Sequence, residues 1–267
     1  MKADHPLVIN KAKLDVLYET YNSRKWVHPD PLEFLYPYAA PRDREIVGII
    51  ASSLAYGRVA QILKSVGCVL EKMGSSPHDF LKHSTPVSLQ KTFKDFKHRF
   101  TTSKDLTEML CGVKRVIDRY GSLYACFLSG FKDDEDTLSA LSFLVKELTA
   151  LFNGHSNSLI PVPERGSACK RLNLFLRWMV RKDGVDPGSW LEIPTRKLMV
   201  PLDTHMHRIC FFLKMTYRKN ADMRTVREIT RAFRQIEPED PVRYDFALTR
   251  LGIRRDACPE ALLSICT

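Results

Sequence analysis

Apolar residues recur at three- and four-residue spacing through almost the whole chain, and this constrains the fold more than any other feature. Leu138, Leu141, Leu144, Val145, Leu148, Leu151 and Phe152 form one such stripe after the acidic start Asp133–Thr137. Val59, Ile62, Leu63, Val66, Leu70 and Met73 form a second. Leu106, Met109, Leu110, Val113, Val116, Ile117 and Tyr120 form a third. Each pattern puts its apolar residues on one face of a helix. The second stops at Gly74 and the third at Gly121, where glycine suits the left-handed position just past a helix end. The segment Glu45–Leu54 is apolar nearly all round, as a helix enclosed by other helices must be. Alternating patterns are few and short, so the expected fold class is all-α.

The breaks in this pattern mark candidate connections. Loops are expected at Ser23–Asp30, Ser75–His83, Asn153–Gly166 and Asp183–Pro201, the last being the best candidate boundary or hinge. Asp240-Pro241 reads as an N-cap followed by proline at the first helical position, opening a helix through Tyr244, Ala247, Leu248 and Leu251. The seven cysteines include no Cys-x-x-Cys pair, and several fall in apolar helical patterns. Reduced core residues in a cytoplasmic protein are expected rather than a disulfide framework. The N-terminal Met-Lys-Ala-Asp-His-Pro has no apolar core of a secretory signal, and no apolar run reaches the ~18 residues of a membrane helix.

Charge narrows the function. The net formal charge is +10, and residues 165–255 hold 20 basic and 10 acidic side chains. The remaining 176 residues hold 21 of each. The whole excess therefore lies in one third of the chain, where a localised positive field favours a polyanion such as nucleic acid.

Inside that basic third, the loop Pro161–Ser167 opens an amphipathic helix from Ala168 to about Arg181, with Lys170 in its first turn. A lysine there is a candidate nucleophile, because the positive end of the helix disfavours the ammonium form. Asp203, just ahead of the apolar helix Ile209–Leu213, has the residue type and place of an N-cap. A capping carboxylate is held rigidly, as a charge facing a cationic transition state should be. His205 and His207 form a His-x-His pair, a spacing used by metal-dependent hydrolases. Such a site needs three or four ligands, and no histidine follows His207.

The segment Pro201-Leu-Asp203-Thr-His205-Met-His-Arg208 resembles the one that carries the essential aspartate in the helix-hairpin-helix DNA glycosylases, the superfamily of endonuclease III and 8-oxoguanine glycosylase. Gly166-Ser-Ala-Cys-Lys170-Arg-Leu-Asn173 resembles that superfamily's second hairpin helix, with Lys170 at the Schiff-base lysine and Asn173 at its companion. Ile46–Val59 resembles the helix and turn that fill the gap left by a flipped base, with Leu54, Tyr56 or Arg58 as the candidate wedge. Phe246–Cys258 is similar to the penultimate helix and the loop after it. As a whole the chain resembles a bacterial branch of uncharacterised function.

The resemblance implies a two-lobed helical bundle, with residues 45–195 as a central lobe and residues 1–44 and 196–267 as a second lobe across the cleft. It implies a base-excision repair glycosylase with AP-lyase activity, Lys170 as nucleophile and Asp203 as the stabilising carboxylate. The substrate would be double-stranded DNA carrying a damaged base, an oxidised purine such as 8-oxoguanine, or an abasic site. Gly166, Ser167, Asn173, His205 and Arg208 would contact DNA, and Trp178 or Trp190 would stack on the extruded base. No metal or organic cofactor is expected: of the four cysteines that hold an iron–sulfur cluster in endonuclease III, only Cys258 and Cys266 have candidate counterparts. A monomer is expected. The chain departs from the superfamily at the hairpin Leu-Pro-Gly-Val-Gly-x-Lys, of which only Gly166 remains. Lys170 and Asp203 also lie 33 positions apart, with Lys182 and Lys197 as reserve nucleophiles. A non-catalytic DNA-binding module and a metal-dependent hydrolase using His205 and His207 are the alternatives.

Overall fold

A computed structural model describes residues 9–132, 134–152 and 157–253, the side chains of 251–253 excepted. Twelve α-helices carry the described fold: α1 (Lys11–Tyr21), α2 (Pro41–Ser53), α3 (Val59–Met73), α4 (Pro77–His83), α5 (Pro86–Thr92), α6 (Ser103–Tyr120), α7 (Leu123–Gly130), α8 (Leu138–Thr149), α9 (Lys170–Val180), α10 (Thr204–Phe212), α11 (Met223–Ile236) and α12 (Asp245–Ile253). Between α5 and α6 a two-residue strand β1 (Lys97–His98) pairs antiparallel with β2 (Thr101–Thr102). The fold is all-α apart from this hairpin. No described helix is long and apolar enough to cross a membrane.

The apolar stripes become helices with the expected ends. α3 stops at Gly74 (φ 75°) and α6 at Gly121 (φ 83°), both in the positive-φ region that glycine enters without a Cβ penalty. α2 is buried at every residue from Glu45 to Ser53, which accounts for its lack of a polar face. Its principal partner is α9. A Cβ on Gly48 would lie 3.0 Å from the Met179 methyl and 3.2 Å from the Phe175 ring, so glycine lets the two helices approach closely. Gly48 lies beside Met179, while the Ser53 carbonyl lies beside Arg171, so α2 and α9 run in opposite directions. The C-terminal end of α2 therefore meets the N-terminal end of α9.

Two expectations need correction. Residues 75–83 form helix α4 rather than a loop. Ser76 caps it by accepting from the Asp79 N–H at 3.3 Å, and Pro77 occupies its first turn, so two residues that suggested a loop serve as a helix start. Asp240 does not cap the last helix: residues 241–244 form turns, α12 begins at Asp245, and the Asp240 carboxylate accepts from Arg181 Nε at 2.9 Å. The segment 183–201 is irregular, as expected of a connection, and it buries Val185, Asp186, Trp190, Ile193, Leu198, Met199 and Val200. Cys126, Cys169 and Cys210 are buried free thiols, and Cys258 and Cys266 lie outside the described residues.

Two buried contacts make the packing testable. A Cβ on Gly112 of α6 would meet the Leu148 carbonyl oxygen of α8 at 2.1 Å, whereas one on Gly121 would meet nothing. Gly112→Ala is expected to cost about 2–3 kcal/mol by forcing α6 and α8 apart, and Gly121→Ala about 1 kcal/mol for its left-handed backbone; chemical denaturation of the two variants measures the difference. Glu45 accepts from the backbone N–H groups of Leu123 (3.0 Å) and Tyr124 (3.1 Å), holding the start of α7. Burial pushes its carboxyl up from 4.5 to about 7, against the pull of those bonds. A carboxyl with its folded-state pKa raised binds its proton more tightly in the folded state. It therefore favours folding at low pH, and that contribution declines between about 4.5 and about 7. The thermal midpoint is expected to fall across this window and Glu45→Gln to flatten the dependence.

Candidate functional site

Where α2 ends and α9 begins, a cleft of about 590 Å³ opens. One wall comes from the turn after α2, Ala55-Tyr56-Gly57, and from Val59 and Ile62 of α3. Lys170, Arg171, Leu174 and Arg177 of α9 form another. Pro201, Asp203, Thr204 and His205 enter from the start of α10, and Asp245, Phe246 and Thr249 from α12. Pro29, Asp30 and Pro31 complete the lining.

Lys170 and Asp203 meet here. Lys170 is the first residue of α9, reached through Cys169 in a left-handed conformation (φ 48°). Asp203 is the N-cap of α10, and its two oxygens divide the work. Oδ1 accepts from the N–H groups of His205 (2.9 Å) and Met206 (2.8 Å). Oδ2 lies 3.7 Å from Lys170 Nζ. The lysine side chain keeps 27% of its surface and the aspartate 39%, so both are reachable from the cleft. Both side chains thus stand at the start of a helix, where the partial positive charge adds to that of the lysine. The reserve lysines stand elsewhere: Lys182 is exposed, and the Lys197 ammonium donates to the Asp134 carbonyl at 2.5 Å.

Behind the pair lies a buried charge cluster. Arg177 donates to Asp186 Oδ1 at 3.1–3.2 Å and forms a short ion pair with Asp245 Oδ2. Arg181, one turn on, engages Asp183 at 2.8 Å, Asp240 at 2.9 Å and Asp186 at still closer range. Burial pushes the Asp245 carboxyl up, opposed by Arg177. Arg171 spans the wall beside Lys170. It donates to the carbonyls of Ser53 (2.7 Å) and Ser158 (2.5 Å), and its guanidinium sits over the Tyr56 ring at 5.2 Å.

Several residues expected at the site lie apart from it. Leu54 is fully buried in the core and has no path to a duplex. Trp178 and Trp190 are core residues at 0% and 2% exposure. Trp190 packs among Tyr124, Phe127 and Phe175, so neither indole is available to stack on a base. Asn173 is buried and donates to the Ala168 carbonyl at 3.2 Å, fixing the approach to α9. Gly166 is exposed with φ 76°, but its N–H donates to Pro163 and its carbonyl accepts from Met223, so its backbone groups are already engaged. Ser167 bridges to Asp222. Arg58 and Arg208 are exposed and do not line the cleft.

Of the two histidines, only His205 faces the cleft; its Nε2 is buried with no hydrogen-bond partner. His207 Nε2 donates to the Arg218 carbonyl at 2.9 Å. Among the described residues no group of three or more His, Cys, Asp or Glu side chains converges as a metal ion requires. Sequence reasoning missed Arg171, Arg177, Asp245 and Asp30. A signal existed for two of them: Arg177 interrupts the apolar run Leu174–Val180, and Asp245 sits between Tyr244 and Phe246 in a helix with an apolar face. A charge in such a place must be paired.

The cap and the cluster make different demands. Asp203→Ala removes the cap of α10 and is expected to cost about 1 kcal/mol, whereas Asp203→Asn keeps an oxygen acceptor and most of that stability. Asp245→Ala strips Arg177 of one buried partner and is expected to cost about 3 kcal/mol. Urea unfolding of the three variants gives the order.

Comparison with curated proteins finds no match, and comparison with solved structures finds none. No helix-hairpin-helix glycosylase family matches the chain, which overturns the resemblance drawn from the Asp203 and Lys170 segments. Those segments are short, and an aspartate cap is what many helix starts select, so its presence carries little family information. Ahead of α9 the chain forms the short helical turn Pro163–Arg165, followed by Gly166 and the left-handed Cys169. The family model that does match spans residues 30–254, most of the chain, and is described as a protein of unknown function (DUF2400). The chain belongs to that family.

Proposed function

We propose that this protein excises damaged bases from DNA, using Lys170 as nucleophile and Asp203 as its partner, with a lyase step through an imine. One observation carries the reading. An amine and a carboxylate 33 positions apart in sequence converge to 3.7 Å, each held at a helix N-terminus, in a cleft large enough for one nucleotide. Supporting it are the basic excess of residues 165–255 and the polar residues that share the cleft.

The chemistry balances with these groups alone. Lys170 Nζ gives up a proton, for which Asp203 Oδ2 is the adjacent acceptor. The freed lone pair attacks the anomeric carbon of the deoxyribose, the new C–N bond forms, and the N-glycosidic bond breaks. The base departs with the electron pair and takes up a proton. Positive charge on the sugar ring in the transition state faces the Asp203 carboxylate, whose orientation is fixed by its two backbone hydrogen bonds. The secondary ammonium then passes a proton to the ring oxygen as the ring opens, leaving a protonated imine between Lys170 and the sugar. Asp203, its first proton passed to the departing base, takes the C2′ proton as the C3′–O bond breaks and the 3′ phosphate leaves. Arg171 and the N-terminal ends of α9 and α10 favour the phosphates on either side of the reacting sugar.

Borohydride trapping tests this reading. Duplexes carrying 8-oxoguanine or an abasic site are incubated with protein and borohydride, and covalent adducts are resolved by denaturing electrophoresis. The wild-type protein is expected to be trapped, Lys170→Gln to give no adduct, and Asp203→Asn to slow trapping about 100-fold or more. If wild type traps neither substrate while still binding duplex DNA, the imine mechanism fails and a non-catalytic DNA-binding module takes its place.

A further inference from the structure

The β1–β2 hairpin presents an aromatic face that neither the core nor the cleft chemistry uses. Its base is locked. His98 is fully buried, its ring nitrogens meeting Ser65 Oγ at 2.9 Å and the Tyr56 carbonyl at 3.1 Å. Thr101, also fully buried, meets the Tyr56 hydroxyl at 2.6 Å and Ser158 Oγ at 3.1 Å. The tip is Arg99-Phe100, with Arg99 in the left-handed region (φ 54°). On this anchored tip Phe100 leaves 66% of its surface exposed.

A lone exposed phenylalanine means little, but this one ends a stack. The Arg171 guanidinium lies 5.2 Å from the Tyr56 ring centre, and Tyr56 stacks on Phe100 at 5.1 Å with 29° between the planes. One face of the Phe100 ring covers Tyr56, and the other is open to solvent. Tyr56 and Gly57 line the cleft, so the stack ends at the cleft rim.

The surroundings say what continues the stack. Residues 91–104 carry Lys91, Lys94, Lys97, Arg99 and Lys104 against Asp95 alone. Beside the hairpin, Lys64, Lys72 and Lys97 line a hollow of about 210 Å³. An open aromatic face within a field of lysines is the arrangement that holds a nucleobase by its ring and its strand by the phosphates.

We propose that Phe100 stacks on a nucleobase of the bound strand, next to the nucleotide held in the cleft. This rests on the nucleic-acid reading of the cleft and names the residue that grips the neighbouring base. The Arg171–Tyr56 pair supports the ring from behind, and the locked hairpin base keeps it from yielding. A protein partner at this face is the competing occupant.

The test needs no turnover. Fluorescence anisotropy measures binding of wild type, Phe100→Ala and Phe100→Trp to a duplex containing tetrahydrofuran, an abasic analogue that cannot form an imine, and to oligo-dT. Phe100→Ala is expected to weaken binding to both about 5- to 50-fold while its thermal midpoint stays near that of wild type. Phe100→Trp is expected to bind within about threefold of wild type, with its added indole emission quenched on binding, as stacking on a base requires. If wild type binds DNA while Phe100→Ala binds equally well and the Phe100→Trp emission is unchanged, the stacking role is wrong and the reading of the cleft stands. If wild type binds neither DNA, both fall.

Discussion

The cluster of Arg177 and Arg181 with Asp183, Asp186, Asp240 and Asp245 is the interaction on which the rest of the molecule depends. It ties the last turns of α9 to the irregular 183–189 segment, to the turn before α12, and to the first residue of α12. Two guanidiniums and two carboxylates, Asp186 and Asp245, that the core almost fully covers would each be costly alone. Together they satisfy one another, and any displacement of one element leaves a charge unpaired. The cluster therefore sets where α12 stands relative to α9. That placement makes Asp245 and Phe246 part of a cleft wall rather than of a bare helix surface.

The α2–α9 contact adds the second constraint. Small size at Gly48 lets the helices approach, and Arg171 reaches across to the Ser53 carbonyl, one of the orphan acceptors at the end of α2. The same guanidinium covers Tyr56. A residue that closes a helix end therefore also shapes the wall beside Lys170. Structural and chemical duties overlap again at Asp203, where one oxygen caps α10 and the other faces the amine. This economy is physically sensible: a group meant to meet a developing charge is most useful when something else already forbids it to move.

The charge distribution reads differently in three dimensions than along the chain. Counted by segment, the positive excess belongs to residues 165–255, and it is what remains after Arg177, Arg181 and Arg218 pair with aspartates of the same segment, while Arg231 and Arg234 pair outside it with Glu135. The hairpin region, hidden in the count because its surroundings balance it, presents lysines and an arginine at the surface beside an open aromatic ring. Net charge predicts attraction, but only burial says which charges remain free to exert it.

The sequence by itself determined the helical class, the ends of α3 and α6, the enclosed character of α2 and the capping role of Asp203. All of these follow from local rules: spacing at 3.6 residues per turn, glycine past a helix end, and a short acid where backbone N–H groups lack partners. It also singled out Lys170 and Asp203 as candidates. Only the tertiary structure decided that the two meet, that Trp178, Trp190 and Leu54 are core rather than contact residues, and that Asp245 and Arg171 belong to the cleft. Nor could the motif pattern assign the family, because an aspartate cap is selected by helix starts in general and a single lysine is common on helix surfaces. The division has one cause. Local geometry depends on neighbours a few residues away, which the sequence lists in order, whereas burial and convergence depend on residues tens of positions apart, brought together only by packing.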